Sequence, residues 1–419
     1  MSQKDKRILV YIFLFALIIR GLILIFYLPV PEKILTPLND STDYHHLAKE
    51  ILKFSYSSPS GKHTAFRAPV YPFFLAIIYL VSGEGNLIAV ALVQAVLDSF
   101  NAVLMSILAF MIWKDTRSIL LAGLIGAIYP VFVFQTNQIL SEVLHRTIQL
   151  IFLIFLIKAA KDGNIKNVIL AGIIYALSIL NKPALLIVYP FLCFWLWYVW
   201  KKDEIRNRII MTLIFAVVVM CSVGVWTLRN FFVSGKFIPV ATNFPITFAA
   251  GVTKFSFYTH KWYGEEKCMP VTNDYLYLTQ LRFYDGIEEE LSIGRFYARQ
   301  AFKFIEEHPA FYVVLTIRKF LHFWSPFIRN KLVIQIIAFI SMAPVLLLGW
   351  ISIIHTLIKR KDERSYAILA LIIAIPTTLV YAISQPDIRY RVSIIDPIWI
   401  IFAVGLILSM RRTSKIFKG

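Results

Sequence analysis

Long apolar segments separated by short basic connections run through almost the whole chain. A helix that crosses a membrane needs about 20 consecutive apolar residues, and about ten segments approach or reach that length. They lie at about 8–28, 87–112, 118–137, 141–157, 167–181, 184–200, 208–228, 332–358, 365–384 and 392–410. The pattern predicts an all-α, polytopic transmembrane helical bundle.

Two polar regions interrupt this pattern, at residues 29–68 and 229–331. Between them the apolar run 70–82 is too short to cross. Because prolines stand at its start, we expect an interfacial or re-entrant helix there, and a second interfacial helix near 310–328. The chain then divides into an N-terminal transmembrane part, a long outer loop and a C-terminal transmembrane part. Their bounds are 1–228, which contains the outer loop 29–68, then 229–331 and 332–419.

The basic residues indicate how the spans are oriented. Lys and Arg concentrate in cytoplasmic loops of membrane proteins. Here Lys4, Lys6 and Arg7 precede the first span, and Lys359 to Lys361 follow a late one. We therefore expect both termini in the cytoplasm and both polar regions on the extracytoplasmic side of the plasma membrane. The first apolar segment has the length of a span and no small-x-small cleavage site, which favours a retained helix over a removed signal peptide.

Composition supports the membrane assignment and excludes other classes. Hydrophobic residues make up 58% of the 419 residues and charged residues only 16%, whereas charged residues reach about a quarter of soluble proteins. The net charge of +18 does not indicate nucleic-acid binding, because Lys and Arg fall mostly in the connections between apolar segments. Cys193 and Cys221 lie in apolar spans and only Cys268 in a polar region, so no disulfide framework is predicted.

A dense polar cluster follows the first span. Between residues 40 and 46 the chain carries two carboxylates, a tyrosine and two histidines. Ionisable groups at a membrane face are costly to place and are candidates for an active site. His45 and His46 lack the spacing of a zinc motif, and neighbours on a helix point apart. A structural alternative is that Asp40 or Ser41 caps a helix that begins near Thr42.

Other polar groups stand at the outer ends of the predicted spans, so they face the same compartment. Six segments meeting at one face would build a cavity with two carboxylate positions and a surplus of cations. Cations suit a phosphate, and a carboxylate suits a base or a cation ligand. The groups are Asp40 with Asp43; Arg67; Ser141–Glu142; Asn181–Lys182–Pro183; Arg229–Asn230; and the run 385–391.

Structural interpretations compete for several of these residues. Arg229, Arg389 and Arg391 could extend to lipid headgroups. Glu142 could form a buried ion pair with His145 or Arg146, one turn further along the helix.

Polar residues inside the spans are interpreted differently. Gln94, Asp98 and Asn101 are spaced i, i+4 and i+7, on one face of a helix. Such a stripe favours hydrogen bonds between neighbouring helices over a reactive site. Arg20, inside the first span, is likewise expected to be a packing or pathway residue.

The ordered motifs resemble those of polytopic lipid-linked sugar transferases, the protein O-mannosyltransferase and aminoarabinose-transferase group of the GT-C fold. The resemblance begins with Asp40-Ser41-x-x-Tyr44-x-x-Leu47-Ala48 and Arg67-Ala68-Pro69-Val70-Tyr71-Pro72, followed by a hydrophobic run to Gly83. The later motifs follow in the same order and extend it over about 40–400. They are Tyr129-Pro130, Ser141-Glu142, Asn181-Lys182-Pro183, Trp226-Thr227-Leu228-Arg229-Asn230, His308-Pro309 and Arg389-Tyr390-Arg391.

The chain departs from the family pattern at two of these motifs. It has Lys182 where the family more often has Arg, which keeps the charge but loses the guanidinium fork. It also has Val70 where the family usually has Gly, so the backbone there is less free.

The resemblance implies transfer of a sugar from a polyprenyl-phosphate donor to an acceptor on the outer side of the membrane, with inversion. The acceptor is a protein, a lipid or a glycan, and the other partner is membrane lipid. Asp40 is the implied base and Asp43 the second candidate. Tyr44 and Glu142 support the site from behind these groups, and Glu142 orients an Arg or Lys. No metal site is predicted, although Asp40 and Asp43 could hold a divalent cation. The implied donor-phosphate ligands are Arg67, Lys182, Arg229, Arg389 and Arg391.

A transporter or flippase for a lipid-linked glycan is the alternative. It would grip the phosphate with the same cations, but it should carry polar residues at mid-depth and Gly- or Pro-broken helices in paired halves. The polar groups of this chain gather at one face instead, which favours an enzyme.

Overall fold

The computed structural model describes residues 1–26, 39–200, 204–252, 286–327 and 332–416. Residues 29–38 of the first predicted outer loop, and 253–285 of the second with Cys268, lie outside the described residues. Within the described ranges the chain is helical, and the only strand-like pairing is an isolated β-bridge between Ser57 and His63. The prediction of an all-α, GT-C-like polytopic fold is confirmed.

The helices are numbered in chain order, and a 3₁₀ turn at Pro183–Ile187 separates α8 from α9. They are α1 (Gln3–Ile25), α2 (Asn39–Leu52), α3 (Val70–Ser82), α4 (Leu87–Trp113), α5 (Thr116–Ile128), α6 (Pro130–Gln135), α7 (Glu142–Asp162), α8 (Ile165–Asn181), α9 (Tyr189–Val199), α10 (Ile205–Ser234), α11 (Phe244–Val252), α12 (Ile287–Glu307), α13 (Pro309–Phe323), α14 (Leu332–Lys359), α15 (Arg364–Ile383), α16 (Ile388–Ile394) and α17 (Asp396–Ile416). The helices expected at 70–82 and near 310–328 are present as α3 and α13.

Six of these helices are long and apolar enough to cross a membrane, namely α1, α4, α7, α10, α14 and α15. A seventh candidate is the pair α16 and α17, which is bent by 58°. The chain is an integral membrane protein. Three of the ten predicted spans, 118–137, 167–181 and 184–200, coincide with shorter apolar helices, so length and composition support six or seven spans within the described residues.

Prolines follow two of the helix ends, and only the first of them interrupts a predicted span. The residue before a proline is disfavoured in the α-helical region. Tyr129, before Pro130, has ψ 111° and separates α5 from α6. Lys182, before Pro183, has φ −134° and ψ 94° and ends α8. The second break leaves the Lys182 side chain at a helix end rather than inside a continuous span.

The α17 helix packs closely in the bundle because small residues admit large aromatic rings. A Cβ on Gly349 of α14 would overlap the ring of Trp399, and a Cβ on Gly405 would overlap that of Trp113. Trp113 also donates its indole N–H to the carbonyl of Ile401, at 2.8 Å. These contacts join α4, α14 and α17 in the largest apolar core.

A buried polar network links α1, α4 and α7. Asp98 accepts hydrogen bonds from Arg20 Nε at 2.8 Å and from Arg20 Nη2 at 2.6 Å. Its other oxygen accepts from Asn101 Nδ2 at 3.1 Å and also from Arg146 Nη1. All four side chains are buried. Gln94, on the same stripe, donates to backbone carbonyls 2.8 and 3.0 Å away. The predictions of interhelical hydrogen bonding and of a packing role for Arg20 are therefore confirmed.

Candidate active site

The first carboxylate of the site lies in the first turn of α2. Because α2 begins at Asn39, Asp40 is already inside the helix, and the prediction of a helix starting near Thr42 with Asp40 or Ser41 as its cap is wrong. Asp40 and Asp43 are three residues apart and therefore share one face of the helix. Tyr44 fixes this end of α2 by packing edge-on against Tyr71 of α3, with ring centroids 4.9 Å apart.

Asp40 is held between two arginines that are far apart in the sequence. Its Oδ1 accepts from Arg67 Nη2 at 2.6 Å, and its Oδ2 accepts from Arg389 Nη2 at 2.7 Å. Although burial acts to raise it, these two guanidinium groups hold the pKa of the Asp40 carboxyl well below its usual range. The side chain remains 21% exposed, so Asp40 is ionised and accessible at neutral pH.

Asp43 lies behind Arg67. Its carboxylate accepts from Arg67 Nε at 2.9 Å and from Nη2 at 2.7 Å, and the side chain is only 1% exposed. Burial acts against the charge of Arg67, but Asp40 and Asp43 together raise the pKa of its guanidinium above the ordinary value. The rings of Phe66 and Tyr44 lie 5.0 and 5.6 Å from its central carbon. Asp43 therefore fixes the orientation of Arg67.

A second buried ion pair forms the neighbouring wall. Glu142, the first residue of α7, accepts from Lys182 Nζ at 3.1 Å through Oε1, and both side chains are buried. Arg389 Nε lies 3.9 Å from the same oxygen. The second oxygen of Glu142 is buried and has no hydrogen-bond partner among the described residues. Glu142 thus connects Lys182 with Arg389, and through Arg389 with Asp40.

Neither residue one turn along α7 is the partner of Glu142. Arg146 turns to Asp98 and stacks over Phe132, 3.7 Å from the ring centroid. His145 Nε2 lies 3.1 Å from Gln149 Oε1. Glu142 does form a buried ion pair between helices, as the structural interpretation expected, but its partner is Lys182 at the end of α8 and not His145 or Arg146.

These groups surround one cavity of about 400 Å³. Its described lining carries three acidic and three basic side chains, so the predicted surplus of cations is not found. Polar and aromatic residues of α11 and of the 380–390 region complete the wall. The lining includes Asp40, Tyr44, Phe66, Arg67, Ser141, Glu142, Asn181, Lys182, Asn243, Phe244, Thr247, Ala250, Val380, Tyr381, Ser384, Gln385, Asp387, Arg389 and Tyr390.

Two predicted phosphate ligands lie outside this lining. Arg229 donates to the carbonyls of Thr64 at 2.8 Å and Tyr56 at 3.0 Å, and its guanidinium lies 4.9 Å from the Trp226 ring centroid. It holds the segment that leads to Arg67 instead of facing the cavity.

Arg391 is fully buried below the cavity. Its Nε donates to Asp396 at 2.9 Å, and its Nη1 donates to the carbonyls of Phe323 at 2.9 Å and Ser325 at 2.7 Å. It therefore joins α16 and α17 to the end of α13, and does not extend to a lipid headgroup.

Asp387, which belongs to the predicted run 385–391, and residues of α11, which were not predicted, also line the cavity. Asp387 caps α16 by accepting from the backbone N–H of Arg389 at 2.9 Å, and its second oxygen lies 3.0 Å from Arg389 Nε. An acidic residue two positions before an arginine at a helix start is a recognisable capping pattern. Helix α11 supplies Phe244 and Thr247 but no charge, so no signal in the sequence marked it.

The donor set around Asp40 and Asp43 does not fit a resident divalent cation. Both oxygens of Asp40 and one of Asp43 already accept from guanidinium groups. His45 pairs with the Tyr79 hydroxyl at 2.8 Å, and His46 with the Ser57 carbonyl at 3.1 Å. No other grouping of three His, Cys, Asp or Glu suited to a metal occurs in the described ranges. A cation bound by both oxygens of Asp40 would have to displace Arg67 and Arg389.

Comparison with known proteins agrees with this architecture. The family model for dolichyl-phosphate-mannose-protein mannosyltransferase matches residues 66–226. That segment contains Arg67, Glu142 and Lys182, but neither Asp40 nor Arg389. The search of curated proteins gave no match.

Solved structures of an archaeal oligosaccharyltransferase, AglB from Archaeoglobus fulgidus, share the fold. The complex with an inhibitory peptide and a dolichol-phosphate matches with a TM-score of 0.57 at 14% identity, covering 100% of this chain and 52% of that one. The apo form matches with a TM-score of 0.58 at 14% identity, covering 99% and 52%. The form tethered to an acceptor peptide with the NVT sequon matches with a TM-score of 0.55 at 12% identity, covering 100% of this chain and 51% of that one.

This chain therefore spans about half the length of the solved proteins it matches, and at such low identity the likeness shows the fold alone. The family match and the shared fold together confirm the resemblance to GT-C transferases that the motifs indicated.

Proposed function

We propose that this protein is a membrane glycosyltransferase that moves a sugar from a polyprenyl-phosphate donor to an acceptor at the cavity, on the extracytoplasmic side. The observation that carries the proposal is the exposed edge of Asp40, bridged between Arg67 and Arg389 and lying in one cavity with Lys182. A carboxylate surrounded by cations combines a proton acceptor with groups that hold a phosphate. The match to a mannosyltransferase family supports the same chemistry.

Arg389 and Lys182 are the proposed ligands of the donor phosphate. Both line the cavity, and Glu142 connects them. Because the leaving group is a lipid phosphate, which is stable as an anion, the transition state requires cations near the developing charge and no general acid. Arg offers the planar fork and Lys a point charge.

Binding of the donor prepares Asp40 to act as the base. While both arginines contact Asp40, they lower its pKa, which makes the carboxylate a weak base. A phosphate that engages Arg389 competes for the group now bound to Oδ2. Release of Oδ2 removes one of the two charges that lower the pKa, so Asp40 becomes more basic when the donor is in place.

The reaction is then a single displacement. The acceptor oxygen forms a bond to the anomeric carbon while the bond from that carbon to the phosphate oxygen breaks, and the acceptor proton passes to Asp40. The lipid phosphate keeps the electron pair and leaves as polyprenyl phosphate. A single displacement inverts the anomeric configuration. Asp43 orients Arg67, Tyr44 fixes the helix that carries Asp40, and Glu142 orients the phosphate ligands.

Transfer is distinguishable from transport in reconstituted vesicles. Protein is supplied with a polyprenyl-phosphate sugar that is radiolabelled in the sugar, and with a membrane extract as the source of acceptor. A transferase releases polyprenyl phosphate and moves the label to another molecule, and the product configuration reports inversion. If labelled lipid crosses the bilayer intact and is never cleaved, the protein is a transporter and the proposed function is wrong.

Replacing Arg389 tests the phosphate site. Arg389→Met keeps the length of the side chain but removes the charge, and a hydrogen bond to a charged group is worth about 1.5–3 kcal/mol. We expect the KM for the donor to rise by roughly 10- to 100-fold. The matched control is Arg295→Met on the exposed surface of α12, which should leave the KM unchanged. Equal KM values for the two variants would show that Arg389 does not bind the donor phosphate.

A further inference from the structure

A lysine is buried without any carboxylate partner behind the cavity. Lys319 lies on α13, which is not one of the candidate spans, and its side chain is fully buried. Its Nζ donates to the backbone carbonyls of Gly251 at 3.0 Å, Ile383 at 3.0 Å and Ser384 at 2.8 Å. An ammonium has three donors, and all three are used. No salt bridge to Lys319 occurs within the described residues.

The three acceptors belong to the C-terminal ends of two helices. Gly251 is the penultimate residue of α11, whereas Ile383 ends α15 and Ser384 follows it. Carbonyls at a helix C-terminus lack partners within the helix and carry a partial negative charge. One ammonium therefore binds carbonyls at the ends of two helices at once, in addition to the backbone cap that Ser384 N–H makes to Val380.

Glycine is required at position 251 for this arrangement. A Cβ at that position would overlap the carbonyl oxygen of Ser384, so any other residue would push the two helix ends apart. The ends touch backbone to backbone, and the lysine lies where the carbonyls converge.

The two helices held in this way form adjoining walls of the cavity. Helix α11 contributes Thr247 and Ala250, and the end of α15 contributes Tyr381 and Ser384. Lys319 itself does not line the cavity. It therefore acts on the shape of the site without touching its contents.

We propose that Lys319 is a positioning residue that locks α11 against the end of α15 and so sets the width of the cavity. We call this fixed contact between α11 and the end of α15 the lock, and the set of contacts that Lys319 makes supports it. Loss of the lock should let the α11 wall move away from Ser384. Only its consequence for sugar transfer rests on the proposed function.

The lock has a pH dependence with a definite sign. Burial lowers the pKa of Lys319 to about 7. The titratable group in contact with it is Tyr312, whose ring centroid lies 5.6 Å from Nζ and whose hydroxyl donates to the carbonyl of Ile383. In a separated state Lys319 would return to water and to its ordinary value near 10.5. Above pH 7 Lys319 in the locked state is a neutral amine that still donates two hydrogen bonds, whereas separation takes up a proton, so the locked state gains as the pH rises from 7 toward 10.

Labelling of a cysteine on the α11 wall measures the lock directly. Thr247→Cys is placed in a background in which Cys193, Cys221 and Cys268 are replaced by Ser, and it reacts with a membrane-impermeant maleimide. Ser60→Cys, at an exposed site, corrects for the change of thiol ionisation with pH. We expect the corrected labelling rate of the wall to fall between pH 7 and pH 9. Neither donor nor acceptor is needed, so this test is independent of the proposed function.

Substitutions at both halves of the lock give the decisive comparison. In Lys319→Met the corrected rate at pH 6, where Lys319 is charged, should rise by about tenfold, the size expected for losing one charged hydrogen-bonded group, and it should no longer depend on pH. Gly251→Ala should raise the rate with Lys319 intact, and it serves as the readout if Lys319→Met does not fold. Lys319→Arg should keep the wall closed but remove the pH dependence, because guanidinium stays protonated. Unchanged labelling in both Lys319→Met and Gly251→Ala would overturn the proposal.

Discussion

Asp40→Asn is expected to reduce sugar transfer by roughly a hundred- to ten-thousand-fold, the range for loss of a general base. The amide has the shape of the carboxylate but cannot accept the proton of the attacking hydroxyl. Arg389 meanwhile loses a competitor for the donor phosphate, so the KM for the donor should stay the same or fall. Initial rates with a radiolabelled polyprenyl-phosphate sugar measure both quantities, and loss of kcat without loss of donor binding is the expected result.

The control for this substitution is another Asp–Arg pair. Asp115 caps α5 and pairs with Arg117 at 2.8 Å, and Asp115→Asn should leave the transfer rate unchanged. Asp43→Asn should act differently from Asp40→Asn, because it frees Arg67 to reorient and so alters KM and kcat together. If Asp40→Asn transfers sugar at the wild-type rate, the base is another residue, and Glu142 is the next carboxylate of the cavity to test.

Asp98→Asn is expected to destabilise the bundle by about 3–5 kcal/mol, as when a buried ion pair loses one partner. Asp98 is the only carboxylate in the described structure that pairs with the fully buried Arg20 and Arg146. Its neutralisation leaves two like charges in the interior. Thermal unfolding in detergent, with the midpoint measured against wild type, gives the free-energy change.

Two companion variants separate charge imbalance from a general effect of mutation. Asp362→Asn, at an exposed site in the turn between α14 and α15, should stay within about 0.5 kcal/mol of wild type. Arg146→Gln leaves the Arg20–Asp98 pair balanced, so its cost should be smaller than that of Asp98→Asn. If Asp98→Asn unfolds like the surface control, backbone carbonyls such as those of Ala16 and Ala127 are sufficient to hold the buried guanidinium group of Arg20.

The sequence allowed prediction of those features that local rules determine. Apolar length identified a membrane helical bundle, and helical spacing identified the polar stripe of α4, because both depend on neighbours in the chain. The gathering of Asp40, Arg67 and Arg389 followed from topology, since groups at the outer ends of spans share one face. Each of these inferences required only periodicity and the alternation of sides.

The contacts of individual arginines could not be predicted from the sequence, because they depend on the tertiary structure. Arg229, Arg389 and Arg391 all stand near predicted span ends, and in sequence they look alike. Arg389 meets Asp40 in the cavity, whereas Arg229 and Arg391 are taken up by backbone carbonyls and Asp396. Which partner a long side chain reaches depends on the packing of helices distant in the sequence, and no local pattern encodes that.

The break in the helix at Pro130 and the uncharged wall of the cavity could not be predicted from the sequence, for a related reason. The apolar run across Pro130 was predicted as one continuous span, 118–137, and only the observed backbone shows that α5 ends at Ile128. The break at Pro183 matches the predicted bounds of the spans 167–181 and 184–200. Lys319 lies in a segment predicted simply as interfacial. Its importance depends on Gly251 and Ser384, which approach it from two other regions of the chain.

The balance of three acidic and three basic side chains in the cavity has a consequence for turnover. A site whose described lining has little net charge attracts a phosphate by exchange, in which the anion replaces Asp40 at Arg389. After transfer, loss of the proton from Asp40 restores a carboxylate that competes for the same guanidinium group. We therefore infer that the group that starts the reaction also expels the spent lipid carrier, so that product release is coupled to the return of Asp40 to its resting partners.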